Sequence, residues 1–243
     1  MSELKPGLED RLKTVRQRLV DAAQGAGRPP ESVTLIAVSK TFPASAVEVA
    51  YRAGLREFGE NYVQEGVEKV IYFREHHPED PGIWHFIGPL QSNKSRLVAE
   101  HFDWMHTVDR LKIAQRLSAQ RPAAMAPLNV LIEVNVDGEE TKSGVSPEQA
   151  LDLAREVMKL PNLKLRGFMT IPAPAQTLEA QRRPFARLRE LLALAQKEFP
   201  ALDTLSMGMS ADMPAAILEG ATLVRVGSAL FGPRDYGQKK TDG

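Results

Sequence analysis

Cysteine is absent from the 243-residue chain, which excludes disulfides, thiolate metal sites and a cysteine nucleophile. Net charge is absent as well. The 31 Lys and Arg balance 31 Asp and Glu, so no basic excess points to nucleic acid or an anionic membrane. No apolar run approaches the roughly 20 residues of a membrane span. The N-terminal MSELKPGLEDRLKTVRQRL is charged and helical in pattern, without the apolar centre of a signal peptide. The expectation is a cytoplasmic protein with no membrane or nucleic-acid partner. Also missing are a GxGxxG turn, a GxxxxGK phosphate loop and HExxH. His76, His77, His85, His101 and His106 never stand at the i, i+4 spacing of a helical metal pair with a carboxylate partner, so no metal is expected. NVDGEE lacks the ligand ladder of a calcium loop.

What is present is a regular alternation. The chain is 43% hydrophobic and 26% charged, ordinary for a domain with a core. A helical stripe at Leu8, Leu12, Val15, Leu19 and Ala22 marks a leading helix over about residues 7–26, ended by Gly25, Gly27 and Pro29-Pro30. After it, strand-like runs alternate with helical ones. Strands are predicted at 33–40, 56–61, 82–88, 103–109, 128–136, 163–171, 204–209 and 222–227. Helices are predicted at 46–54, 62–77, 91–102, 110–120, 146–160, 178–199, 210–220 and from 228. The first and fifth strands, VTLIAVSK and LNVLIEVNV, are continuously apolar, as in strands buried on both faces. Ser146-Pro147-Glu148 stands in N-cap, N1 order, and Ser210 is placed to cap the helix that follows it. Eight such units without a linker, over residues 1–243, predict one (β/α)₈ barrel domain with an extra N-terminal helix.

In a barrel the C-terminal strand ends share one mouth, where barrels carry their chemistry. The first strand ends on Ser39-Lys40, with Pro43 suited to the first turn of the next helix. A lysine there either snorkels to water or serves as a nucleophile. After the seventh and eighth strands, SMGMSAD and VRVGSALFG place small polar residues and glycines at helix starts. There, unpaired N–H groups suit a phosphate, and equally suit ordinary turns. Phosphate at those loops with a lysine on strand one points to pyridoxal phosphate (PLP), held as a Schiff base. Arg225, just before the last loop, stands where a permanent cation can donate to a pyridine nitrogen and weaken the ring as an electron sink. On the residues alone, an ion pair in the barrel mouth accounts for Arg225 equally well.

The segments VSKTFP, FGENYVQE, WHFIGPLQSNK, NVDGEETKSG, RGFMTI, LSMGMSAD and VRVGSALFG resemble, in this order, the pyridoxal phosphate homeostasis protein family. The resemblance runs from the first strand to the last helix. It implies an alanine-racemase-type N-terminal barrel, with the cofactor on Lys40 and phosphate contacts from Ser206, Ser210, Gly227 and Ser228. It also implies Arg225 at the ring nitrogen, with Asn61, His85 and Met169 lining the cofactor. Lys142 matches a second lysine that takes part in cofactor transfer. Only the final GQKKTDG departs from the pattern.

Two functions compete. One is a PLP carrier or regulator of vitamin B6 metabolism without turnover, with PLP and, transiently, PLP-dependent apoenzymes as its partners, and monomeric. The other is a racemase or decarboxylase of the same fold. Racemases of this fold add a C-terminal β-domain whose tyrosine, from the partner subunit, supplies the second acid/base. The eighth unit here is expected to end near Tyr236 with no such domain. For the second face that leaves Tyr62, His85 or Lys142, none fixed by another domain. The carrier is the expectation. A phosphosugar barrel would leave Lys40 and Arg225 without a specific role.

Overall fold

The computed structural model describes residues 7–140 and 142–233; Tyr236 and residues 237–243 lie outside it. Helix α1 (Leu8–Gly25) buries Leu12, Val15 and Leu19 of the predicted stripe, with Ala23 fully buried beside a partly buried Ala22. A single 3₁₀ turn at Pro30–Ser32, not foreseen in the sequence, leads into β1 (Thr34–Val38). Then follow α2 (Ala44–Arg52), β2 (Glu57–Glu60), α3 (Val63–His76), β3 (Ile83–Phe86) and α4 (Ser95–His101). The middle of the chain forms β4 (Trp104–Val108), α5 (Leu111–Gln120), β5 (Leu128–Glu133), α6 (Pro147–Met158) and β6 (Leu163–Met169). The last part is α7 (Leu178–Gln196), β7 (Thr204–Ser206), α8 (Met213–Leu218), β8 (Leu223–Val226) and α9 (Ser228–Phe231). Each strand runs parallel to the next, and β8 closes on β1 in the register Thr34 to Leu223 through Ala37 to Val226. The fold is the expected (β/α)₈ barrel with one leading helix.

Helix starts follow local chemistry. Ser146 and Gln149 form a full capping box at α6, and Thr177 caps α7 by accepting from Ala180 N–H. Ser210 does not cap α8. Asp212 holds that place, and its carboxylate accepts from Met209 N–H at 2.7 Å. Most predicted strands run on too far at their C-terminal ends. β5 stops at Glu133, because the chain beyond bridges Val145 instead of continuing the ladder. β7 stops at Ser206, because Gly208 turns away with φ +97°. These overruns are the mouth loops.

Two layers of apolar packing hold the barrel. The larger lies between sheet and helices and contains Phe58, Phe73, Trp84, Phe86, Phe102, Phe168 and Phe185, all buried. A separate small cluster of Ile36, Leu131, Met169 and Leu223, with Trp104 against it, fills part of the inside. Strand alternation assigns the two sets. Phe168 and Ile132 face the helices, while their neighbours Met169 and Leu131 face inward. The rest of the interior is polar, which is unusual for a barrel packed only for stability.

Candidate functional site

A cavity of about 320 Å³ opens at the C-terminal mouth, within the range of small-molecule sites. Lys40, Asn61, Ser210, Arg225, Gly227 and Ser228 line it together. They come from the ends of β1 and β2, the loop after β7, β8 itself and the start of α9. Phe42, Ile87, Ile171 and Met209 supply its apolar wall. Phe42 stacks on Phe231 with centroids 5.1 Å apart, tying the lysine loop to α9.

The turn that carries Lys40 is held from beneath. Thr41 adopts φ +70°, a left-handed conformation costly for a β-branched residue, on the order of 1–3 kcal/mol. Its N–H donates to Glu65 Oε1 at 2.6 Å. Glu65 in turn pairs at 2.7 Å with Lys69, one helical turn along α3. The Lys69 side chain is 5% exposed and also donates to Ser39 O and Glu60 Oε1, both at 2.8 Å. The Ser39 hydroxyl donates to the same Glu60 oxygen. A buried ammonium is tolerated only when paired, and here the pairing fixes three consecutive residues around Lys40. Burial pushes the Glu60 carboxyl up; the Lys69 charge and the Lys69 and Ser39 hydrogen bonds oppose it.

Asn61 is fixed by close backbone packing. A Cβ at Gly88 would stand 2.1 Å from Asn61 O, so only glycine lets the β3 loop approach. The Asn61 side-chain oxygen is buried without a hydrogen-bond partner, which makes it a ready acceptor for a donor in the cavity. Gly227 serves the seam between β8 and β1, since a Cβ there would sit 3.2 Å from Val38 O.

Arg225 is buried and donates to Ser206 Oγ at 2.6 Å and Thr170 O at 3.0 Å. Burial lowers its pKa to about 10, against the opposing charges of Asp212 and Glu133, so it stays cationic at neutral pH. On β5, burial and the Asp109 charge raise the Glu133 carboxyl to about 7, with Arg225 opposing.

Three of the nine expected cofactor residues lie elsewhere, and so does Lys142. Ser206, on β7, does not reach the cavity, because its hydroxyl is engaged with Arg225 and His106 inside the barrel. His85 is buried lower in the interior, bonded to Glu57 and His106. Met169 packs in the inner apolar cluster. Lys142 sits outside the cavity, 3.6 Å from Asp137 and 3.5 Å from Glu139. Glu60 is legible in the sequence only as a strand-end residue beside Asn61, and Glu65 and Lys69 are not foreseen in the site. Glu65 and Lys69 at i, i+4 were visible as a pair, but their reach to β1 and β2 is a property of the closed barrel.

Residues 11–235 match the family described as "Alanine racemase, N-terminal domain". The pyridoxal phosphate homeostasis protein of Vibrio alginolyticus is 55% identical over 236 residues, covering 97% of this chain and all of that protein. Its counterpart in Pseudomonas aeruginosa is 57% identical over 230 residues, covering 95% of this chain and 97% of that one. Among solved structures, PipY of Synechococcus elongatus with PLP bound is similar with a TM-score of 0.80 and 37% identity, over 93% of this chain and 100% of that chain. A barrel with a lysine-bearing mouth, and identities above one half along nearly its whole length, place this chain in the pyridoxal phosphate homeostasis protein family.

Proposed function

We propose that this chain holds pyridoxal phosphate in the mouth cavity by a covalent bond to Lys40 and acts in cytoplasmic PLP homeostasis without turnover of its own. The observation that carries this reading is the convergence of Lys40, Arg225 and the unpartnered Asn61 oxygen on one cavity. The names of its relatives and the PLP bound to PipY support it.

The residues fit the group. When bound, the cofactor supplies an aldehyde carbon that takes up amines and a ring that can accept electron density. Lys40 would hold it covalently. Arg225, donor-only and cationic, would donate to the ring nitrogen and keep that nitrogen from carrying a proton of its own. Asn61 would accept from a ring hydroxyl. The backbone around Ser210, Gly227 and Ser228 would face the phosphate, with Ser206 now acting on Arg225 instead.

The same cavity supports binding over turnover. Among the described residues that line it, Lys40 and Arg225 are the only titratable ones. Racemisation needs an acid/base on each face of the reacting carbon within hydrogen-bond reach. The rest of the lining, Ile171, Met209 and the two serines among it, carries no ionisable side chain. Tyr62 is 53% exposed, and His85 and Lys142 lie outside the lining. Transient hand-over of the cofactor to apoenzymes, by a monomer, is part of the same proposal.

The test is borohydride reduction of PLP-loaded protein followed by peptide mass analysis. One reduced adduct on Lys40 is expected, and its loss in Lys40→Ala. An adduct that forms on another lysine in wild type refutes the assignment. Incubation with a panel of L-amino acids separates carrier from enzyme. Product formation at around 1 s⁻¹ or faster, an ordinary enzymatic rate, overturns the non-catalytic reading.

A further inference from the structure

Inside the barrel, hydrogen bonds run without a break from the cavity floor toward the opposite end. Arg225 Nη1 lies 2.6 Å from Ser206 Oγ, which lies 2.8 Å from His106 Nδ1. His106 Nε2 lies 2.9 Å from His85 Nδ1, and His85 Nε2 lies 2.5 Å from Glu57 Oε2. Five strands contribute one residue each: β8, β7, β4, β3 and β2. Ser206, His85, His106 and Arg225 are all buried, and the Glu57 side chain is 24% exposed.

The two ends of this chain dictate its direction. A guanidinium has donors and no acceptor, so Arg225 must give its proton to Ser206. Ser206 then has one hydroxyl proton left, and His106 Nδ1 is placed to take it. That fixes the neutral His106 tautomer with hydrogen on Nε2, which donates to His85 Nδ1. His85 is thereby fixed with hydrogen on Nε2, which donates to the Glu57 carboxylate, an acceptor only. With both rings neutral every proton points the same way; a second proton on His85 would instead impose the opposite His106 tautomer, with Nδ1–H donating to Ser206. Burial above all holds His106 well below its ordinary pKa, in agreement with a neutral ring. Asp103 faces His85 from the foot of β4, while Glu133 and Asp212 face Arg225.

A guanidinium is a rigid planar fork. Pinning Nη1 on Ser206 and Nη2 on Thr170 O leaves its plane one orientation at the wall of the cavity that Arg225 lines. We propose that Glu57, His85, His106 and Ser206 are positioning residues for Arg225, a one-way hydrogen-bond chain that sets which donor the guanidinium presents to a bound cofactor ring. The proposal rests on the reading of the cavity as a PLP site. Arg225 touches the ring; the other four act only through it. Trp104 stacks against His85 with centroids 5.4 Å apart and an angle of 21°, and Arg166 lies over Trp104 at 4.8 Å, closing the interior beneath.

Two measurements test this. In cofactor-free protein labelled with ¹⁵N-histidine, long-range spectra report each ring's tautomer; single His→Asn variants assign the signals. His85 and His106 are expected as Nε2–H tautomers in the cofactor-free protein. An Nδ1–H tautomer, or an imidazolium, at either ring overturns the chain. In PLP-loaded protein, Ser206→Ala is expected to lose cofactor about tenfold faster, the worth of one charge-assisted hydrogen bond. It should also shift the pH profile of the cofactor's absorbance, while the reducible bond to Lys40 persists. Ser206→Thr keeps the hydroxyl and should restore both. Unchanged retention and an unchanged profile in Ser206→Ala show a merely structural network and refute the positioning role. Wild-type protein that takes up no PLP overturns the cavity reading and this use of Arg225 together. The tautomers measured without cofactor then show that the failure lies in the ligand and not in the chain.

Discussion

Glu133 offers the clearest energetic test, because its environment sets a sign as well as a size. It sits at the end of β5, 7% exposed, with its carboxyl raised from 4.5 to about 7 by burial and then by Asp109. A raised carboxyl means that the folded protein keeps a proton which the unfolded chain releases. The stability tied to that proton is full below the unfolded value near 4.5. It falls as pH rises, and is gone once pH passes about 7. With 1.36 kcal/mol for each pH unit of difference, the loss is about 3 kcal/mol. Glu133→Gln keeps shape and polarity but cannot ionise. Wild type and variant should therefore have similar stability near pH 4.5. Above pH 8 the variant should be the more stable by about 3 kcal/mol. Urea titrations at several pH values, at matched ligand content, measure the difference by linear extrapolation. Subtraction cancels the contributions of the other carboxylates. Stability curves that stay parallel from pH 4.5 to 8, or a variant weakened most at high pH, would show that Glu133 is stabilised as an anion by Arg225 and would refute the reasoning.

The clamp under Lys40 predicts that Lys69→Met is strongly destabilising, by about 3–5 kcal/mol, because it leaves Glu60 buried without its cation. The double variant Lys69→Met/Glu60→Gln should recover most of that loss in chemical denaturation, and a non-recovering double variant would separate the two residues energetically. Gly88→Ala forces a backbone shift at Asn61, so thermal melting should drop and PLP retention should fall together; an unaffected melting temperature contradicts the packing argument. Gly227→Val should keep the fold but weaken cofactor retention in gel filtration, by crowding Val38 at the cavity wall. Unchanged affinity there would place the phosphate elsewhere.

Fold and site were legible to different depths, for physical reasons. The barrel was readable because each strand is a short apolar run and each helix an apolar stripe, signals carried within 5 to 20 consecutive residues. Strand ends were not, because the residues that leave the ladder at the mouth, such as Val134 and Met207, are as apolar as those inside it. Six of the nine expected site residues share one cavity because they stand at strand ends or helix starts, which barrel topology alone brings together. His85, Met169 and Ser206 still belong to their strands, as Arg225 does, whereas the other five cavity residues stand beyond the ends of theirs. At that depth, side chains point at one another across the interior instead of upward.

That displacement has a consequence for how the site works. A polar residue on an inward strand position has only two physical outcomes: it meets a ligand or it meets another polar residue. Here His85, His106 and Ser206 meet each other, and so a buried hydrogen-bonded row links Glu57 to Arg225 at the cavity wall. The lysine turn has its own foundation in Glu60, Glu65 and Lys69. The two cationic groups that face the cavity are thus each fixed by a buried network, one outside the barrel wall and one inside it. Rigid presentation of a nucleophile and a ring donor favours firm, reversible capture. Racemisation asks in addition for a second acid/base within reach of the reacting carbon, and Lys40 and Arg225 are the only titratable groups among the described lining residues, which is why the amino-acid panel is the decisive assay.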